Sequence, residues 1–112
     1  MPLTTSVETV AEGAILLRLS GRLDALSALE FEPVLLLRAE APSVSRIILD
    51  AEGLDYIASA GLRVLLKAIK ALNARQGMLY GVNLGEPIQT VLRMTGLLPH
   101  LTLRNSIEEC LA

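Results

Sequence analysis

At 112 residues, with 52% hydrophobic and 20% charged side chains and a formal charge of −2, the chain is the size of one domain, residues 1–112, around a single core. The mean hydropathy of +0.50 points toward a membrane, but Arg18, Arg38, Arg63 and Lys67 interrupt every apolar run before the roughly 18 residues a spanning helix needs. The slight acidity argues against general nucleic-acid binding, and the lone Cys110 excludes an internal disulfide.

The first ten residues, MPLTTSVETV, carry no basic region followed by an apolar block, so no secretory leader is expected and the cytoplasm is the expected compartment. TTSVETV and AILLRLS are β-rich runs separated by Ala11-Glu12-Gly13, which predicts a hairpin. Within the second run Ile15, Leu17 and Leu19 share one face, and Arg18 and Ser20 the other. GRLD closes that strand, after which Asp24 or Ser27 can cap a helix expected over about Ser27–Glu40, kinked at Pro33. APSVS reads as a loop and RIILD as a short buried strand ending at Asp50. A five-residue loop, AEGLD, then leads to Tyr56, Ile57 and a helix opened by Ser59. Leu62, Leu65, Leu66, Ile69 and Leu72 fall at helical spacing as its buried stripe, and Gly77 is expected to end it.

MLYGV is the next strand, and NLGEPIQTVLRMTG holds a helix with Pro87 early and Gly96 just past its end. HLTL reads as a last edge strand and NSIEECLA as a terminal helix with a Ser106-x-x-Glu109 capping box. The resulting order, β-β-α-β-α-β-α-β-α, predicts an α/β domain with a mostly parallel sheet of four to five strands, an N-terminal hairpin and four helices. The surplus of Leu, Val, Ile and Ala suits such a sheet, whose strands are covered on both faces.

Enzyme signatures come up short. His100 and Cys110 are each single, too few for a zinc site of the usual kind, and neither a G-x-S-x-G elbow nor a glycine-rich phosphate loop is present. Asp50, at the end of a buried strand, is where a phosphate-accepting aspartate would sit. Such a site needs further carboxylates and a lysine at a strand end, whereas Lys67 and Lys70 both fall mid-helix. Asp50 is therefore read as a loop-anchoring carboxylate, and no cofactor or metal is expected.

Ser59 is the lone hydroxyl at the mouth of its helix. Its oxygen can accept a backbone N–H as a cap, or it can carry a phosphate at a helix end that favours negative charge. The residues alone favour the cap. Arg63, Lys67 and Lys70 recur behind it as a basic stripe, with no acid between Ser59 and Gly77.

Taken together, GRLDALSA and LDAEGLDYIASAGLRVLL resemble the STAS domain of bacterial anti-sigma factor antagonists. Leu49-Asp50, Gly53, Tyr56-Ile57, Ser59 and Gly61-Leu62 match the family pattern at its spacing, GRLD matches the turn after the second strand, and SIEECL resembles the final helix. Ala58 stands where the family usually has an acid, and Ala60 where it has a second hydroxyl.

The resemblance implies a non-enzymatic switch. The unphosphorylated protein would bind an anti-sigma factor that is itself a GHKL-type serine kinase; phosphorylation at Ser59 would release it, and a cognate phosphatase would reset it. Asp24, Ala58, Ser59, Ala60, Gly61, Arg63 and Lys67 form the expected partner-binding set, on a monomer or weak dimer that neither enters the membrane nor binds nucleic acid. STAS domains also serve as scaffolds or as subunits of stressosome-like, chemosensory and transport complexes, which is the alternative expectation.

Overall fold

The structure, a computed structural model, describes residues 2–112. Five strands lie in one sheet: β1 (Thr4–Ala11), β2 (Ala14–Leu23), β3 (Arg46–Ile57), β4 (Met78–Val82) and β5 (Thr102–Leu103). Their spatial order is their chain order; β1 and β2 form an antiparallel hairpin and all other neighbours are parallel. The connections are α1 (Ala25–Ala39), α2 (Ser59–Asn73), and α3 (Glu86–Met94) with a 3-10 turn over Leu98–His100; α4 (Ile107–Leu111) ends the chain.

Right-handed crossovers that always advance in the same direction put every connecting helix on the same side of a sheet. Accordingly Leu17, Leu19, Ile47, Leu49 and Leu79 meet Phe31 and Leu35 of α1, Leu65 and Ile69 of α2, and Ile88 and Leu92 of α3 in the main core. Among the described residues the opposite face receives α4 alone, which covers Leu16, Ile48, Tyr80 and Val82 with Cys110, Ile107 and Leu111.

The predicted order of elements is the observed one, with corrections at the boundaries. β3 does not stop at Asp50 to become a loop; AEGLD is strand, and β3 continues to Ile57. Its partner explains this, because β2 also runs on past Ser20 to Leu23 and keeps supplying hydrogen bonds. Two register shifts absorb the mismatch, and Gly53 lies opposite Ser20, where a Cβ would come within 2.9 Å of the serine side chain. Since β4 ends at Val82, opposite Asp50, the far half of β3, from Ala51 to Ile57, pairs with β2 alone.

Helix α1 starts at Ala25, two residues before the expected point, because Asp24 is its N-cap and Ser27 completes a reciprocal capping box. The helix continues through Pro33 to Ala39; Pro33 is exposed, so the missing N–H falls on the solvent side. At the end of α2 the left-handed conformation is taken by Gln76 (φ 62°), not by Gly77, whose N–H reaches Leu72 O at 2.7 Å. Leu62 and Leu66 are only half-buried, so the covered stripe of α2 is Leu65, Ile69 and Leu72 with Val64 and Ala68.

Ser106 caps α4 as expected, but Glu109 returns its carboxylate to the Asn105 N–H, one residue short of the full box. Asp50 is buried within β3; its Oδ1 accepts from Asn83 Nδ2 at 2.9 Å and from Glu52 N at 3.2 Å, and Arg18 Nε lies 4.0 Å from Oδ2. Through Asn83 it does anchor the loop after β4.

Candidate functional site

The two-stranded extension of β2 and β3 delivers both helix entrances to one corner. β2 ends at Leu23 and hands over to the cap Asp24; β3 ends at Ile57 and hands over to Ala58. A hydrogen bond from Ala58 N to Leu23 O, 2.8 Å, ties the two turns together. Asp24 of the expected set therefore sits beside Ala58 and Ser59, although 35 residues separate Asp24 from Ser59 in the chain. One strand position before each turn, the Arg22 guanidinium stacks over the Tyr56 ring at 4.1 Å.

Gly61 sets how close α2 comes to this corner. A Cβ at Gly61 would lie 2.6 Å from Leu23 Cγ and 3.1 Å from Ile57 Cγ1, so the glycine lets the first turn of α2 seat directly on the strand ends. Ala60 is half-buried against the same core, and Ser59 points the other way and is exposed.

Ser59 is not a cap. It is the first helical residue, and the N-cap is Ala58, which has no side-chain acceptor. The first turn of α2 is thus left with amides that no side chain of this end takes. The neighbouring entrance contrasts with it. There Asp24 Oδ1 accepts from Ser27 N at 2.9 Å, Ser27 Oγ accepts from Asp24 N at 2.9 Å, and Ser27 Oγ donates to Arg22 O at 2.7 Å. The backbone hydrogen bond from Ser27, with the serine hydroxyl beside it, holds the Asp24 carboxyl below the usual carboxylate range.

Ser59 also lines an open groove of about 470 Å³ between α2 and the turn after α3, with Leu62, Arg63, Leu66, Thr95, Gly96, Leu97 and His100. Sequence reading missed the far wall of this groove. His100 reads as a loop or strand-edge residue from its Leu-Pro-His context, and nothing in the local pattern signals that it returns to α2. Of the basic stripe, Arg63 faces this groove, but Lys67 is not uncompensated: its Nζ lies 3.0 Å from Glu32 Oε2 on α1. Both partners of that pair are well exposed, which makes it a weak link between α1 and α2.

Among the described residues no cluster of His, Cys, Asp and Glu fit for a metal ion occurs, and no helix is long and apolar enough to cross a membrane. Cys110 is buried on the inner side of α4, and that burial pushes its thiol up from the ordinary range.

Comparison with known proteins gives a consistent picture. The family model described as the STAS domain matches residues 6–110. A protein of Bordetella bronchiseptica named as a candidate anti-sigma factor antagonist, BtrV, is 33% identical over 101 residues, covering 90% of this chain and 86% of its own length. Among solved structures, an anti-sigma factor antagonist from Mycobacterium paratuberculosis superposes with a TM-score of 0.82 at 24% identity, covering 97% of this chain and 91% of that one. The Bacillus cell-fate determinant SpoIIAA in its phosphorylated form does so with a TM-score of 0.77 at 23% identity, covering 96% of each chain.

Proposed function

The chain belongs to the STAS domain family, and from that premise we propose that it is an anti-sigma factor antagonist working by partner switching. In this reading it binds, without catalysis of its own, a cytoplasmic anti-sigma factor that is a GHKL-type serine kinase. That kinase phosphorylates Ser59, the complex parts, and a cognate phosphatase restores the binding form. The one observation that carries the reading is the position of Ser59: exposed, first in α2, and beside a cap residue that makes no claim on the amides. The name of the Bordetella relative supports the same role.

The proposed physics is electrostatic. Unmodified, the rim formed by Ala58, Ser59 and Ala60 is uncharged, and the partner can meet it together with Arg63, Lys67 and the Asp24 corner; Gly61, expected in the same set, is buried against Leu23 and Ile57 and seats the helix instead of touching a partner. A phosphate adds roughly −1.5 to −2 charges. Within a contact that must shed water, that charge is strongly unfavourable unless the partner supplies cations for it. The site requires no metal or cofactor for this behaviour.

Incubation with ATP and the anti-sigma factor kinase of the same cell, followed by mass spectrometry, is expected to place phosphate on Ser59. Ser59→Asp is expected to weaken the complex at least about tenfold and Ser59→Ala to leave it intact. Phosphate on another residue, or equal binding by both variants, overturns the switch. Ala58 motivates a second reading, a constitutive scaffold or a subunit of a stressosome-like, chemosensory or transport complex, and equal binding is the result that reading expects.

A further inference from the structure

Helix α1 carries apolar residues on the face that packs on the sheet and on the face that does not. Leu26, Leu29 and Leu37 are 74%, 72% and 68% exposed, and Pro33 between them is exposed as well. Their 3-4-4 spacing aligns them as one stripe along the outer side of the helix. A single exposed leucine needs no explanation, whereas a contiguous row marks an interaction surface.

Beside the stripe, between α1 and the start of β1, lies a groove of about 210 Å³ whose floor includes Leu3, Phe31 and Val34 and whose rim carries Glu30. A side chain from a docked partner can enter there. The fully exposed charges that flank the stripe are acidic. Glu30 and Glu40 are exposed on this side, while Arg38 is half-buried and donates to Val34 O at 3.0 Å. The nearest lysine of α2, Lys67, is engaged by Glu32.

We infer that the outer face of α1 is a second docking surface, separate from Ser59, for an amphipathic helix of another protein whose apolar face is bordered by lysine or arginine. Acidic flanks select this occupant. A second copy related by a twofold axis would bring Glu30 and Glu40 toward carboxylates of its own kind, while Arg38 is already turned onto the Val34 carbonyl. Anionic lipid would meet the same repulsion. A basic helix gains on both counts: its leucines cover the stripe, one of them enters the groove, and its cations pair with Glu30 and Glu40.

The test uses the full chain and a model helix of leucine and lysine about as long as α1, with a leucine–glutamate helix of the same pattern as control. Amide shift mapping is expected to show the lysine peptide on α1 and the start of β1, and no binding of the glutamate peptide. Leu29→Ser with Leu37→Ser is expected to weaken binding at least about tenfold with the thermal transition unchanged, since both positions are solvent-facing. Glu30→Gln with Glu40→Gln is expected to weaken it several-fold and to remove most of its salt dependence.

Shifts that avoid α1, equal binding of the two peptides, or binding insensitive to the leucine variants overturn the inference. So does a dimer in sedimentation that the leucine variants dissolve, or co-sedimentation with phosphatidylglycerol vesicles that they abolish. Because the readout comes from α1, its failure leaves the Ser59 reading standing, and loss of that reading leaves this surface standing.

Discussion

Ala58 and Asp24 occupy equivalent posts, the caps of two helices joined by one hydrogen bond, yet only Asp24 accepts amide protons. Ala58→Asp is expected to supply the missing acceptor and stabilise the domain by about 1 kcal/mol. For a domain of this size that raises the melting temperature by roughly 4–8 °C, measurable by calorimetry. Asp24 gives the pH counterpart. Its carboxyl is held below the ordinary range in the folded state, chiefly by the Ser27 backbone N–H, so its contribution is fully present above the unfolded value of about 3.9 and is lost as pH falls through the folded value. Urea midpoints of Asp24→Asn and the parent are expected to differ most near neutrality and to converge under acid. Ser59 itself was legible in the sequence as a hydroxyl at a helix mouth. That it stands one place inside the helix was not, because a cap is defined by backbone angles that Ala58 and Ser59 can exchange.

At the scale of elements, the hydrophobic periodicity of α2 and the turn residues around β1 and β2 were enough to place them. The far half of β3 was misread for a physical reason. AEGLD has the polar and glycine content of a loop, and only the long partner β2 turns it into strand through tertiary pairing. His100 was hidden likewise, since the groove it lines joins segments that meet only after the crossover to β5. The fit of α2 on the strand ends makes Gly61 the sensitive position of this corner. Alanine there gains about 1 kcal/mol of helix propensity but overpacks Leu23 and Ile57, an effect of typically 1–3 kcal/mol. The expected net result is a destabilisation of up to about 2 kcal/mol in chemical denaturation. It should be accompanied by amide shifts through Leu23, Ala58 and Ser59.

For the molecule as a whole, the sequence announced a covered parallel sheet and the structure adds which side each cover takes. A sheet advancing in one direction leaves one face to three helices and the other to α4, so the two cores share every central strand. They are expected to melt together. Leu35→Ala, at a fully buried site on α1, should lose about 2–5 kcal/mol. In a Tyr56→Phe background, fluorescence from Tyr80 on the opposite face should follow the helical circular dichroism in one transition.

The overhang of β3 beyond β4 has a mechanical consequence. Residues from Ala51 to Ile57 are gripped by β2 along one edge and have no strand on the other. The corner bearing Ser59 is therefore mounted on a cantilever rooted in a stiff slab at Asp50. A load at its tip is expected to be carried first by the β2 pairing and to reach the root of α1 through the Ala58–Leu23 hydrogen bond.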